Sequence, residues 1–478
     1  MRIASFALLL FAAATHAAPP EDQWFTVLLD GRKIGSFESQ RIVRDGKVET
    51  AQTLDVSLDR AGITISLVNG ESATETVDGK PLAFTSRSKM SGIESHIDGR
   101  VDGDRVEVTT STGGATQTRT MAWPAGALLP EAARLAGLRA GLAAGTRYDV
   151  LAFQPSSLDA ARVSTLVAPV ETIDLPGGAK KLSRIDQDMV FSGATMRSRS
   201  WVDAQQTVYK LVMPMMGVDL VLLACDKTCA TAPNQGSDVF GRTMLDAPRA
   251  LAPEELRGAM RYTLAARDGM KLPELATTDE QRVETRGGER IVIIEPQARE
   301  ATPAERPRLE DFRGNDYLQS EAPEVVALAR KAVGDTTDPT KKMQRIETFV
   351  RGFIKDKTLN VGYASALEVA RKPEGDCTEH AVLVAALGRA AGLATRVVDG
   401  LAYAPGFAGK DQVFVPHAWA QAWIDGRWRS FDAALRGFDS GHIALAVGNG
   451  DPWRFYAGVE QLGTFKVRKA EALPASTP

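Results

Sequence analysis

The first half of the chain alternates apolar and polar residues with a period of two. Residues 24–29 run apolar into Asp30-Gly31, Leu54, Val56 and Leu58 are separated by polar residues, and Ile63, Ile65 and Leu67 repeat the pattern. Successive side chains of a strand point to opposite faces, so each segment predicts a strand with one buried face. Asp-Gly recurs at 30–31, 45–46, 78–79, 98–99 and 102–103. Tight hairpin turns need positive φ, which this dipeptide tolerates, and the five pairs therefore predict successive hairpins. Leu135, Leu138 and Leu142 fall at helical spacing and predict one helix within the meander, and residues 218–224 predict a late strand.

The period changes further on. Residues 251–297 are mixed, with short β candidates such as 290–294, and the charged stretch 300–308, with Pro303 and Pro307, reads as a linker. Helical spacing follows. Residues 323–333 predict one helix, and Asp338-Pro339 supplies the N-cap and first-turn proline of another. Met343, Ile346, Phe349, Val350 and Phe353 share its apolar face. A third helix starts at Asp376, where Asp followed three residues later by Glu379 makes a variant capping box. Ala381, Val384, Leu387 and Ala391 form its buried stripe, and Gly392 ends it. Period two returns over 416–424, Asp425-Gly426 turns the chain, and 427–432 runs back. The expected fold is multidomain: a signal peptide over 1–17, a mainly antiparallel β, open-barrel-like domain over 18–250, a small mixed segment and linker over 251–306, an α+β domain over 307–471, and a disordered tail over 472–478.

Composition narrows the function classes. At 478 residues the chain exceeds one ordinary domain, and 44% hydrophobic residues suffice for real cores. A net charge of -3 with no basic stripe argues against a nucleic-acid partner. Met1-Arg2, an apolar run over 6–14 and Thr15-His16-Ala17 read as a secretory signal. No other stretch reaches spanning length, so the protein is expected to be exported, periplasmic or extracellular, without an integral membrane span. Of three cysteines, Cys225 and Cys229 are either a disulfide at a hairpin tip or two buried thiols. Cys377 is then the odd one, either inert in a core or a reactive thiol.

Position favours reactivity. In the first turn of a helix Cys377 meets unsatisfied backbone N–H groups and the positive end of the dipole, which favour a thiolate and can hold an oxyanion. A base is needed, and His417 shares a strand face with Trp419, Gln421 and Trp423. A two-residue turn at Asp425-Gly426 pairs Ile424 with Arg427 and sets Asp432 opposite Trp419, on the face of His417. A three-residue turn would send Asp432 to the other face. Spacing alone leaves His380, one helical turn from Cys377, open as a rival base. His442, after Gly441, reads as a surface loop residue.

Gly375-Asp376-Cys377-Thr378-Glu379-His380-Ala381, the run 391–398, His417-Ala418-Trp419, Gly426-Arg427-Trp428 and Phe431-Asp432 together resemble the transglutaminase-like superfamily. The Cys, His, Asp order and separations of 40 and 15 residues fit its core. The resemblance covers about 307–471. It implies a papain-like α+β fold with Cys377 as nucleophile, His417 rather than His380 as base, and Asp432 as orienting acid. It also implies a second oxyanion donor upstream, for which Tyr363 is the candidate; Trp419 is the other candidate substrate-binding residue. The implied function is an exported thiol acyl-transfer enzyme, a cysteine protease or amidase ahead of an amine cross-linker, acting on peptide or protein amides through a thioester. No cofactor and no metal are expected, since Glu374, Asp376 and Glu379 read as helix capping rather than a Ca²⁺ site. The N-terminal meander resembles bacterial periplasmic open barrels, which implies a lipophilic or protein ligand. The alternative is a non-catalytic scaffold with a ligand-binding β domain.

Overall fold

The computed structural model describes residues 22–60, 63–90, 93–112, 115–191, 194–215, 218–236, 240–267, 270–296, 305–357, 364–450 and 461–474. The expected signal peptide, Tyr363 and the end of the tail lie outside the described residues. The chain forms two compact units that divide in sequence at Ser237 and Asp238.

The N-terminal unit is built on one 15-stranded sheet in which sequence neighbours pair. Its two arms join where Gln23–Leu29 pairs antiparallel with Val218–Cys225; one arm ends at Ala115–Ala122, the other at Ala127–Leu128. The expected alternation holds, with Leu54, Val56, Leu58, Ile65 and Leu67 all buried. Asp30-Gly31 and Asp45-Gly46 take positive φ, 51° and 74°, then 50° and 70°. Phe84 on Pro81–Met90 and Phe153 on Arg147–Gln154 come from near opposite ends of the strand order, yet their rings lie 5.0 Å apart. The sheet therefore curls until its arms share a core with Ala73, Ile97, Val108 and Leu129.

Three local expectations are corrected here. Asp98-Gly99 is not a turn but lies within the strand Ile93–Asp102, and the chain turns at Gly103, φ 62°, so that Asp102 pairs with Arg105. The reason is tertiary: a Cβ on Gly99 would fall 2.1 Å from Phe84 Cζ, so the glycine makes room for that ring. The helix Pro130–Ala140 exists, but Leu138 is exposed and the buried face carries Ala133, Glu131 and Arg134. Glu131 is gripped by Arg41 and Arg134, and the Glu75 carboxylate accepts the N–H groups of Glu131 at 2.6 Å and Ala132 at 2.9 Å. A buried acid thus satisfies the orphan donors of the helix start, and that requirement outranks the leucine stripe. Cys225 and Cys229 form a disulfide, closed across the short helix Lys227–Ala230 rather than at a hairpin tip.

The C-terminal unit holds two antiparallel sheets and a helical layer. In one sheet Lys410–Ile424 pairs with Thr395–Phe407 along one edge and with Leu245–Asp246 and Arg427–Phe431 along the other; His442–Gly448 adds beyond Thr395–Phe407. The second sheet runs Gln281–Arg286, Glu289–Ile294, Met260–Ala266, Phe465–Ala472. Met260, Tyr262 and Val292 of this sheet share a core with Leu401, Phe414 and Ile443 of the first. Along Arg427–Phe431 the Trp428 N–H donates to Asp279 at 2.7 Å and the Ser430 N–H to Glu280 at 3.0 Å, which satisfies the outer side of that strand. The helices Pro323–Val333, Pro339–Phe353, Ala366–Arg371 and Cys377–Ala390 pack on one another, and the last seats against Thr395–Phe407 and Lys410–Ile424. Asp338 caps its helix by accepting from Lys341 N at 2.7 Å, and Met343, Ile346 and Val350 are fully buried as their spacing predicts. Among the described residues no helix is long and apolar enough to cross a membrane.

Gly99→Ala is expected to destabilise the protein by about 1–3 kcal/mol through overpacking against Phe84. The loss should shrink when the change is made in a Phe84→Leu background, as urea denaturation of the four proteins would measure.

Candidate active site

The helix that begins at Cys377 is set up by the three residues around its start. Gly375 has φ 144°, and a Cβ there would fall 2.4 Å from Glu379 Cγ, so this position requires glycine. Asp376 caps the helix, accepting from Thr378 N at 2.9 Å, and its own N–H donates to Glu379 Oε2 at 2.9 Å, completing the predicted capping box. Glu379 also accepts from Ala364 N at 2.8 Å, which ties the preceding loop to the helix. Cys377 occupies the first helical position, is partly buried and lies outside the disulfide.

The strand Lys410–Ile424 brings the imidazole. The turn at Asp425 and Gly426, φ 52° and 78°, pairs Ile424 with Arg427 and Ala420 with Phe431. This is the two-residue register, and it leaves Asp432 one step beyond the last pair. His417 Nε2 and Asp432 Oδ2 are 2.9 Å apart, with the residues 5% and 1% exposed. Nε2 therefore donates to the carboxylate, and Nδ1 is the nitrogen left to take a proton.

Asp432 is held on every side. Its Oδ1 accepts from Ala434 N at 2.8 Å and Leu435 N at 3.1 Å, its own N–H donates to Glu347 at 3.0 Å, and its carbonyl accepts from Arg351 at 3.1 Å. Burial alone would raise its pKa, but the His417 and His442 rings outweigh burial and hold it well below the usual carboxylate range. Asp432 is thus a fixed anion and not a proton donor.

His442 is a correction. It is no surface residue: it is 3% exposed, opens the strand His442–Gly448, and sets Nε2 3.0 Å from the same Asp432 Oδ2. The signal available in the sequence was the unbroken apolar run 443–447, which marks a strand buried on both faces and carries its first residue inward. His380 is 1% exposed and its Nδ1 lies 2.6 Å from the Asp376 carbonyl of its own helix; burial pushes its pKa down, so it stays neutral. Its Nδ1 is bonded to that carbonyl, whereas His417 is bonded to a carboxylate.

Trp419 is also corrected. At 1% exposure it has no face to offer a substrate. Its Nε1 donates to Ser430 Oγ at 3.1 Å, and its ring stacks at 22° to His417 and stands edge-on to His442, with centroids 6.3 Å and 5.3 Å away. It is the floor beneath the two imidazoles. Gly400 makes that floor fit, since a Cβ there would lie 2.9 Å from the indole.

The structure therefore brings His417 and Asp432 into contact, adds His442, and seats the helix starting at Cys377 against the strand that carries His417. Among the described residues, His417, Asp432 and His442 are also the group able to hold a metal ion, with one ligand atom each within 4.8 Å of the others. Their spacing about Oδ2 is that of hydrogen bonds.

Residues 326–433, which include all three expected catalytic residues, match the model of the transglutaminase-like superfamily. This segment is a transglutaminase-like domain. A candidate cysteine protease from Cytophaga hutchinsonii is similar in structure, at 18% identity and TM-score 0.28 over 40% of this chain and 80% of its own. A beta-barrel-like protein of a domain of unknown function from Brucella abortus gives 11% identity and TM-score 0.36 over 43% of this chain and 96% of its own. A candidate protease from Parabacteroides distasonis gives 10% identity and TM-score 0.21 over 75% and 69%. No curated protein matches the chain.

The capping box of the transglutaminase-like domain has a pH signature. Burial and the Asp376 charge raise the pKa of Glu379 to about 8, against the pull of the two N–H donors. The folded chain binds this proton more tightly than the unfolded one, so its stabilisation is complete below about pH 4.5 and is lost as pH rises through about 8. Glu379→Gln, which stays neutral, is expected to flatten the fall of unfolding free energy across that window in a denaturant series.

Proposed function

We propose that this chain is an exported thiol acyl-transfer enzyme that cleaves amide bonds of peptides or proteins through a thioester on Cys377. The observation that carries the proposal is the 2.9 Å bond between His417 and a fully ionised Asp432, in a domain whose packed helix begins at the cysteine. In this mechanism Nδ1 of His417 takes the Cys377 proton, and the sulfur adds to the amide carbonyl. N–H groups of the helix start hold the oxyanion. The C–N bond breaks as His417 returns the proton to the leaving amine, leaving a thioester. Water, deprotonated by His417, then attacks, and the acid is released with the thiol restored. Asp432 keeps the tautomer and stabilises the transient imidazolium.

Hydrolysis is preferred to amine transfer because the motifs resemble those of exported bacterial peptidases and amidases of the superfamily. Export is supported by the signal-like first seventeen residues and by the Cys225–Cys229 disulfide, a bond that persists in oxidising compartments.

Incubation with a glutamine-containing peptide and a labelled amine tests the proposal. Cleavage or ammonia release without incorporated label is expected, and label in the product would instead mean transfer. Cys377→Ser should lower turnover by about 10³-fold or more, and Asp432→Asn by about 10²–10⁴-fold. Equal labelling of the wild type and Cys377→Ser by a thiol-directed probe would remove the nucleophile and leave the scaffold alternative.

A further inference from the structure

One carboxylate oxygen serves two rings. His417 Nε2 is 2.9 Å and His442 Nε2 is 3.0 Å from Asp432 Oδ2, so both must donate a proton to it. On the far side of the His442 ring, Nδ1 lies 3.0 Å from Asp439 Oδ1 and 3.1 Å from the Asp439 carbonyl. The Asp439 N–H also donates toward Nδ1, at the longer distance of 3.3 Å. A lone pair on Nδ1 would face two oxygens at close range, whereas a second proton satisfies both.

We propose that His442 is a positioning residue of this site, a second and positively charged ring that grips the carboxylate orienting His417 and takes up part of its negative charge. The proposal rests on the assignment of His417 as the base of the thiol chemistry. Burial works against charge on His442, but its bonds to Asp432 and Asp439 prevail and raise its pKa to about 9. Among the described residues no other ionisable group is bonded to the ring: its ring neighbours are His417 at 5.6 Å and Trp419 and Phe438 at 5.3 Å and 5.0 Å. From the adjoining elements, Ala402 pairs beside it, Glu347 and Arg351 reach the backbone of Asp432, and Tyr262 bonds the Ser440 carbonyl.

The consequence is a shared anion. Facing Asp432 alone, His417 would meet its whole negative charge. The His442 cation offsets that field while its N–H fixes the carboxylate in place. With Nε2 of His417 bonded to that fixed carboxylate, Nδ1 is the nitrogen that exchanges the proton in a two-step acyl transfer.

The test is an NMR titration of the full-length protein labelled with ¹⁵N-histidine, wild type and His442→Gln, beside the pH dependence of Cys377 alkylation by iodoacetamide. The chain has five histidines, which keeps assignment tractable. In the wild type His442 should remain doubly protonated through neutral pH. Gln keeps an N–H donor but removes the charge, so the pH profile of Cys377 alkylation should shift by about one unit or more. A neutral His442 in the wild type at pH 7 would overturn the inference without any variant. So would an alkylation profile that stays unmoved in a folded His442→Gln protein while Cys377 reacts faster than an ordinary thiol. If His442 is doubly protonated while Cys377 reacts no faster than an ordinary thiol in either protein, the charge on His442 stands and the nucleophile assignment fails.

Discussion

A carboxylate taken out of water must be given back its hydrogen bonds and its countercharge, and Asp432 imposes that demand on everything around it. It is 1% exposed. Two imidazoles, two backbone N–H groups, an arginine on its carbonyl and a glutamate on its N–H meet the demand, and they come from the helix Pro339–Phe353, two strands and the loop that follows Arg427–Phe431. Such a network is costly to disturb, since removing one member leaves a buried charge short of a partner. The fold therefore specifies the orientation of His417 far more tightly than a single bond would.

The same physics recurs in the N-terminal unit with a different outcome. Glu75 and Glu131 are both buried at the start of Pro130–Ala140, but Glu131 is paired with two arginines and its pKa falls, whereas burial lifts Glu75 to about 7. Guanidinium partners make one acid an anion. Backbone donors alone leave the other near its titration point.

What was legible in the sequence was local. Asp425-Gly426 announced a positive-φ turn, and the turn length alone fixed the side on which Asp432 would emerge. Asp376 and Glu379 announced a cap, and the 3.6-residue spacing of Met343, Ile346 and Val350 announced a buried face. The failures were all matters of distant neighbours. Nothing beside Gly99 tells of the Phe84 ring that crosses it, nothing beside Leu138 tells of the acids that turn its helix, and Gly441 suggests a loop only until the strand after His442 is seen to be sealed in the core. Trp419 was placed on the right face, but its depth depended on Gly400 in a paired strand.

The acids along Arg427–Phe431 bear on how an extended polypeptide can meet this strand. An unfilled strand edge is a template on which any extended peptide can zip itself, productively or as an aggregate. Here the outward amides of Trp428 and Ser430 are already taken by Asp279 and Glu280. These side chains act as fixed stoppers, so the hairpin that delivers His417 and Asp432 cannot recruit a foreign strand along Trp428 and Ser430. The hairpin is thereby spared the pairing that would tear its register apart.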